Sequence, residues 1–593
     1  MLKRVQHDSI SFIISIISSL NLYNSNLFLF DKHKTILYRI INNTIKTTGM
    51  IIAKFKKKLL KPFFKEADML ITEILARNAR MYPDETALIE RVPSENLRRE
   101  ITWAQFNNDS NKIANYLLSQ GIKKGDKVIH LLVNCLEWLP LYFGILRTGA
   151  WVVPLNFRFS SSDIEYCSEI SEAKILFFGP EFIERISSSK KFLDKYIEKY
   201  IFVGDGKTEC PEFAENYNTA LEQVSNEPVN VELNIEDNAG LYFTSGTTGQ
   251  PKPILLTQRN LESACIVENR HHLQTHEDNF ILIPPLYHTG AKMHWFGNFI
   301  VGAKSVILKG VSPKWILEAV SEEGGSIVWL LVPWAQDILT AIETGDVKLS
   351  DYNLSKWRLM HIGAQPVPPS LIKEWLKVFP HHKYDTNYGL SEATGPGCVH
   401  LGMENIHKVG SIGKAGFDWE YQIVDTEGNR VKKGEVGELA VRGPGVMREY
   451  YKNPEATKNA LRNGWLYSGD MAKEDEDGFI YLVDRKKDII ITGGENLFPV
   501  EIEDFLQEHK DIQDAAVIGI PDERLGEIPI AVIKLKPGRI VSEEDILEYC
   551  KKLPRYKRPH KVYFDDVPRN PTGKIEKPKL RKKFAGIETA FKL

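Results

Sequence analysis

Between residues 70 and 480, short apolar runs alternate with stretches of helical periodicity. Lys127-Val128-Ile129-His130-Leu131-Leu132-Val133 follows a Gly125-Asp126 turn and reads as a strand. Glu137 to Arg147 reads as a helix, and Gly149 to Leu155 as the next strand. Ala173 to Gly179, Ala239 to Phe243 and Glu438 to Gly443 are further strands of the same kind. This βαβ rhythm predicts mainly parallel sheets covered by helices, an α/β architecture. Asp477-Gly478 turns into a strand ending at Val483, and the pattern changes at Asp484 to Asp488. Beyond that point Ala515 to Ile520 and Ile528 to Leu535 read as strands, and Val500 to Glu508 and Glu543 to Lys552 as helices. Those elements suffice for a small α+β domain. The organisation expected is an extension over 1–68, a large domain over 69–486 and a small domain over 487–593.

The extension has a different composition. Ser9 to Phe30 is rich in Ile, Leu, Ser and Asn, and KFKKKLLKPFFK from Lys54 to Lys65 is basic with interleaved apolar residues. A signal peptide is opposed by Asp8 and by the lack of an A-x-A site. A membrane span needs about 20 predominantly apolar residues, and Ser and Asn interrupt this one. Residues 54–65 fit an interfacial amphipathic segment. The expectation is that translation starts at Met69, with residues 1–68 outside the functional protein or disordered.

The chain of 593 residues exceeds one core, and 43% hydrophobic with 26% charged residues is ordinary for a globular protein. A net charge of −2 gives no drive toward nucleic acid or anionic membrane. The six cysteines are scattered, with no CxxC pair and no Cys/His cluster at zinc spacing, which points to reduced thiols and a cytoplasmic location.

Candidate chemistry concentrates first in TSGTTGQPK, Thr244 to Lys252, directly after an apolar strand. The small residues Gly246 and Gly249 let backbone N–H groups approach a polyphosphate. The hydroxyls of Thr244, Ser245, Thr247 and Thr248 can donate to it, and Lys252 adds a point charge. The order differs from the Walker pattern.

This loop resembles the phosphate-binding signature of the adenylate-forming enzymes, the superfamily of acyl-CoA synthetases, firefly-type luciferases and peptide-synthetase adenylation domains. PPLYHTG (Pro284 to Gly290), IGAQPVP (Ile362 to Pro368), NYGLSEATG (Asn387 to Gly395), YSGD ending at Asp470, DRKKDIIITGGENLFPVEIE from Asp484 and PRNPTGKIEK around Lys574 follow in that family's order. The resemblance covers roughly residues 69 to 593. It implies a large ATP- and acid-binding domain that includes a small β-barrel-like subdomain, and a mobile C-terminal domain. It also implies the substrates ATP and CoA, with Mg²⁺.

Site roles follow from the same resemblance. Thr244 to Gly249 and Lys252 would hold phosphates, and Thr244 and Glu392 would serve Mg²⁺, for which hard oxygen ligands suit. Gly363, Ala364, Gln365, Asn387, Tyr388, Gly389 and Ser391 would surround the adenosine, with Tyr388 stacked on adenine and Asn387 or Gln365 at its edge. Asp470 would accept the ribose hydroxyls and Arg485 would add a contact. Lys574 would stabilise the reacting α-phosphate, and with Glu392, Lys252 and Thr244 it makes the expected catalytic set. Lys487 would be the hinge. Gly493, Gly494, Glu495 and Tyr556 would meet CoA. His288, Trp295 and Gly363 would line the acyl pocket, with His288 as a gate and Trp334 and His294 as further walls. Pro253 and Gln258 depart from the usual Gly and His.

No Lys or Arg is demanded at the pocket floor, so an apolar acid is expected, a medium- or long-chain fatty acid or an aryl acid. The reaction class expected is an acyl-CoA ligase. Transfer of the acyl group to a carrier protein, luciferase-like oxidation and a non-enzymatic nucleotide-binding role are the competing classes. The partners expected are small molecules and no nucleic acid, with at most peripheral membrane contact and a homodimer as the oligomeric option.

Overall fold

The structure is a computed structural model that describes residues 69–244, 251–363, 367–395, 397–493, 495–569 and 574–585. The expected start at Met69 concerns residues 1–68, which lie outside the described residues. No helix among the described residues is long and apolar enough to cross a membrane.

Two large sheets carry the α/β body. One runs Lys383–Asp385, Leu359–Gly363, Ile327–Leu331, Asn279–Leu282, Lys304–Leu308, Thr86–Val92, Leu97–Thr102. Its first six strands are parallel and the edge strand Leu97–Thr102 is antiparallel. The second runs Glu449–Tyr450, Lys252–Thr257, Asn238–Thr244, Trp151–Pro154, Lys127–Leu131, Ile175–Phe178, Lys199–Phe202, Glu215–Asn216. There the parallel set begins at Asn238–Thr244, and the first two strands are antiparallel. Ile327–Leu331 and Ile175–Phe178 are buried at every residue, which is why they read as unbroken apolar runs. The helix Trp138–Arg147, apolar all round, is likewise buried at every position.

An antiparallel sheet follows. Gly437–Arg442 pairs with Glu420–Val424 and with Trp465–Glu474, which also pairs with Leu461–Arg462 and Ile480–Arg485. The C-terminal sheet begins at Ile490–Thr492 and joins Glu495–Leu497, Gly526–Leu535, Ile512–Asp522 and Lys561–Phe564. Its apolar clusters draw only on residues after Ile490, Ile502, Val517 and Ile546 among them, which gives this smaller domain a core of its own. The expected strands appear within a few residues of their predicted ends. The helix expected to Lys552 stops at Tyr549, and Cys550–Lys552 tightens into a 3₁₀ turn.

Candidate active site

Thr244 ends its strand directly opposite Lys252, so the two close the base of the phosphate-type loop. Ser245, Gly246, Thr247, Thr248 and Gly249 lie outside the described residues. Pro253 sits near the start of its strand, where a missing N–H is tolerated, and its carbonyl accepts from the Tyr451 amide at 2.8 Å. Gln258 is buried at the start of the helix Gln258–His272. The Lys252 ammonium lies 5.3 Å over the Tyr450 ring. Tyr450 in turn donates its hydroxyl to Glu392 Oε1 at 2.7 Å. One phenol thus links the loop's cation to the candidate metal carboxylate. Ser391, beside Glu392, is tied to Thr289 by a 3.1 Å hydroxyl contact.

Asn387–Tyr388 is a two-residue strand paired with Val399–His400. Strand alternation sends the two side chains to opposite sides. The buried Tyr388 donates its hydroxyl to Asp470 Oδ2. Asp470 stands opposite Arg485 in the antiparallel ladder, with Arg485 Nε 3.5 Å from its Oδ1. Asn387 is engaged within the protein. Its amide donates to Glu268 Oε1 at 3.1 Å and meets His294 Nε2 at 3.0 Å. Ala364 and Gln365 lie outside the described residues.

Lys574, from the far end of the chain, is half-buried and within electrostatic reach of this group. Burial and the neighbouring Arg485 and Lys487 lower its ammonium to about 8, against the pull of Asp470 and Glu392. Lys487 is itself lowered to about 8, by burial and by Arg485 and Arg581 against the pull of Asp488. The chain on either side of Lys487 is clamped. Asp484 accepts from the Val500 amide at 3.1 Å, and Asp488 pairs with Arg581 at 2.8 Å. Lys577 pairs with Glu503 at 2.9 Å in the same buried cluster. Burial lifts the Asp484 carboxyl to about 6, with Lys577 working against it.

His288 caps the helix Thr289–Phe299, its Nδ1 accepting from the Gly290 amide at 3.1 Å. Burial, then Lys574 and Lys292, push its imidazole down to about 3, so it is neutral and suited to lining rather than to proton transfer. Gly290 and His294 share a helix face. His294 stacks on Trp329 with centroids 4.4 Å apart. A Cβ on Gly363 would meet nothing closer than Asn387 O and Trp329 Nε1, both at 3.9 Å. Gly363 is thus in ordinary van der Waals distance of Asn387 and Trp329, with no closer neighbour. Trp295 corrects an expectation. It packs within the aromatic core against Phe143, Phe296 and Phe299, because it follows His294 and points elsewhere. Trp334 packs against a different cluster, on the helix Val332–Glu343.

Gly493 and Glu495 are exposed at the tip of a hairpin in the C-terminal sheet. Tyr556 is exposed on the 3₁₀ turn Arg555–Lys557, where Lys557 is already bound to Glu501. Gly494 lies outside the described residues.

Behind Asn387 is a closed ring of four buried groups. Glu268 Oε2 lies 3.3 Å from His272 Nδ1, and His272 Nε2 lies 2.9 Å from Asp385 Oδ2. Asp385 Oδ2 meets His400 Nδ1 at 3.3 Å, and His400 Nε2 returns to Glu268 Oε1 at 3.7 Å. The Gly402 amide donates to Asp385 Oδ1 at 2.9 Å, and His271 stacks on His400 at 3.8 Å. Gly413 makes the fit possible: at φ +104° a Cβ would fall 1.7 Å from the His400 carbonyl oxygen. No sequence spacing announces this ring, nor the parts played by Tyr450, Trp329 and Thr289.

Comparison with known proteins agrees with this geometry. The AMP-binding enzyme family model matches residues 75–451, and the AMP-binding enzyme C-terminal domain matches 501–574. The chain is 31% identical over 518 residues to the long-chain-fatty-acid–CoA ligase FadD13 of Mycobacterium tuberculosis, covering 86% of this chain and 98% of that one. It is 31% identical over 512 residues to a feruloyl-CoA synthase of an Amycolatopsis species, with the same coverages of 86% and 98%. The crystal structure of the anthranilate CoA ligase AuaEII with anthranoyl-AMP superposes with a TM-score of 0.79 at 27% identity, covering 87% of this chain and 97% of that one. With its large α/β body, smaller C-terminal domain and ordered motifs, the chain belongs to the AMP-binding enzyme family.

Proposed function

We propose that this protein is an ATP-dependent acyl-CoA ligase, converting a carboxylic acid, ATP and CoA into acyl-CoA, AMP and pyrophosphate. The observation that carries it is that Lys574 lies within electrostatic reach of Asp470, Arg485 and Glu392. In this reading a cation from the C-terminal region faces groups of the large domain suited to ribose and phosphate. Asp470 accepts the ribose hydroxyls, positioned by Tyr388 and Arg485. Thr244 and Lys252 hold the phosphates from opposite strands. Glu392, with Thr244, would hold Mg²⁺, which supplies charge neutralisation on the phosphates when bound. Lys574 stabilises the charge that builds as the acid's carboxylate attacks the α-phosphorus and pyrophosphate departs.

The small domain over 487–593 then turns at Lys487, a pivot of few residues, and brings Gly493, Gly494, Glu495 and Tyr556 toward the CoA thiol. The acid is a medium- or long-chain fatty acid, its body beside Gly363, Trp329 and Gly290. An aryl acid is the alternative, supported by likeness to a feruloyl-CoA synthase and an anthranilate CoA ligase. ATP and CoA as substrates suit a cytoplasmic setting.

The test is pyrophosphate release by purified protein across aliphatic and aryl acids, with and without CoA. CoA-dependent release with one favoured acid is expected. Release that needs no CoA and is stimulated only by a carrier protein would replace the ligase reading.

A further inference from the structure

Lys292 follows His288 by one helical turn on Thr289–Phe299, and it is fully buried. Its ammonium nitrogen has no hydrogen-bond partner. It lies 4.3 Å from the centroid of Tyr242, 5.5 Å from Tyr142 and 5.7 Å from Trp138. His130, stacked on Trp138 at 4.3 Å, is equally buried, and both of its ring nitrogens lack partners. The Tyr142 and Tyr242 hydroxyls meet at 2.9 Å, so one donates to the other and one O–H is left over.

The group is rich in donors and poor in acceptors. Aromatic faces attract an ammonium but accept none of its three hydrogen bonds in full. An isolated buried charge is costly, and burial accordingly drives the Lys292 ammonium well below its usual value. A ligand that brought a negative charge and several lone pairs would satisfy the lysine, the histidine and the spare hydroxyl together.

The place suits the tail of the acid. Tyr242 lies on the same strand as Thr244 and two residues before it, so both side chains leave the same face. His130 stands near the carboxyl end of the parallel strand Lys127–Leu131, the end at which α/β sheets bind ligands. His288 lies within electrostatic reach of both Lys574 and Lys292, and it stands one helical turn before Lys292.

We propose that Lys292, with His130, Tyr142, Tyr242 and Trp138, forms a receptor for a second carboxylate at the far end of the acid substrate. The substrate is then a dicarboxylic acid with an apolar middle. This rests on the ligase reading; it keeps the aliphatic chain proposed above and adds a second carboxylate at its far end.

The experiment compares kcat/KM for hexanedioate, octanedioate and decanedioate with the monocarboxylates of equal length, and with the monomethyl esters of the diacids. A diacid is expected to exceed its monocarboxylate and its ester by about tenfold or more, the value of a charge-assisted hydrogen bond. Lys292→Met is expected to invert that order by raising turnover of the monocarboxylates. A wild-type preference for monocarboxylates, or equal turnover of diacid and ester, overturns the receptor and leaves the ligase standing. Silence on all three series overturns the receptor, and the ligase reading falls with it only if the aryl acids are silent too. The ester comparison uses the unaltered protein, so it decides the matter even if the variant does not fold.

Discussion

Lys574→Met should slow acyl-adenylate formation by roughly 10²–10³-fold, the usual cost of removing one group that stabilises transition-state charge. Thioester formation from supplied acyl-adenylate should stay near the wild-type rate. Rapid-quench measurement of each half-reaction checks both. Equal loss of the two would show that Lys574 serves folding rather than the first step. The pH profile gives a second signature. The working form is the ammonium, and in the free protein it is held at about 8 by burial and by Arg485. Adenylation should therefore lose rate as pH rises through that value, first as a rising KM for ATP. Bound phosphates favour the charged form, so ATP binding above pH 8 should take up a proton, visible in weakly buffered solution. In Lys574→Met the alkaline limb and the proton uptake should both vanish.

Asp385→Asn should lose about 3–5 kcal/mol of stability, the range for removing one partner of a buried ion pair. The substitution keeps the shape and deletes the charge between His272 and His400. Burial works to raise the Asp385 carboxyl, and the hydrogen bonds from the two histidines overcome it and hold it well below the usual range. Burial lowers the His272 imidazole, and Glu268 with Asp385 more than restores it, so its value is raised. The signs give a window. The lowered carboxyl adds stability above about pH 4, where the unfolded group is ionised, and the raised imidazole adds it below about pH 6.5. The wild type should be stabilised most between those limits and lose part of the gain as pH climbs past His272. Urea unfolding followed by tryptophan fluorescence at pH 5.5 and 8 checks this. Asp385→Asn should flatten the difference, and an unchanged midpoint at both values would deny the ring its role.

The sheets were legible because burial wrote itself into the strands. Ile175–Phe178 and Ile327–Leu331 are covered on both faces, so every position is apolar and the run stands out. The motif resemblance assigned Asp470, Arg485, Glu392 and Lys574 to one site, and the fold brings Lys574 within electrostatic reach of the other three. The face of the acyl helix was not legible. Every residue of Thr289–Phe299 is buried, so no polar stripe marks which side lines a pocket, and Trp295 could not be told from His294. The partners of Asn387 were hidden for a related reason. Its strand is two residues long, too short for alternation to show in the sequence. The ring of Glu268, His272, Asp385 and His400 joins three separate segments and obeys no local period. Lys292 belongs to no motif, and only the fold shows that it is fully buried.

The buried seam around Lys487 sets stiffness against speed. Asp484 lies before the pivot and holds the Val500 amide beyond it, while Lys577 lies within its field. For a chain that turns at Lys487, as proposed, each catalytic cycle has to part Asp484 from that amide and then remake the contact. A sequence with a stronger clamp there would resist heat better and cycle more slowly. Robustness and turnover thus pull in opposite directions at a single carboxylate, and Asp484 is where adaptation to a warmer or colder habitat would leave its mark.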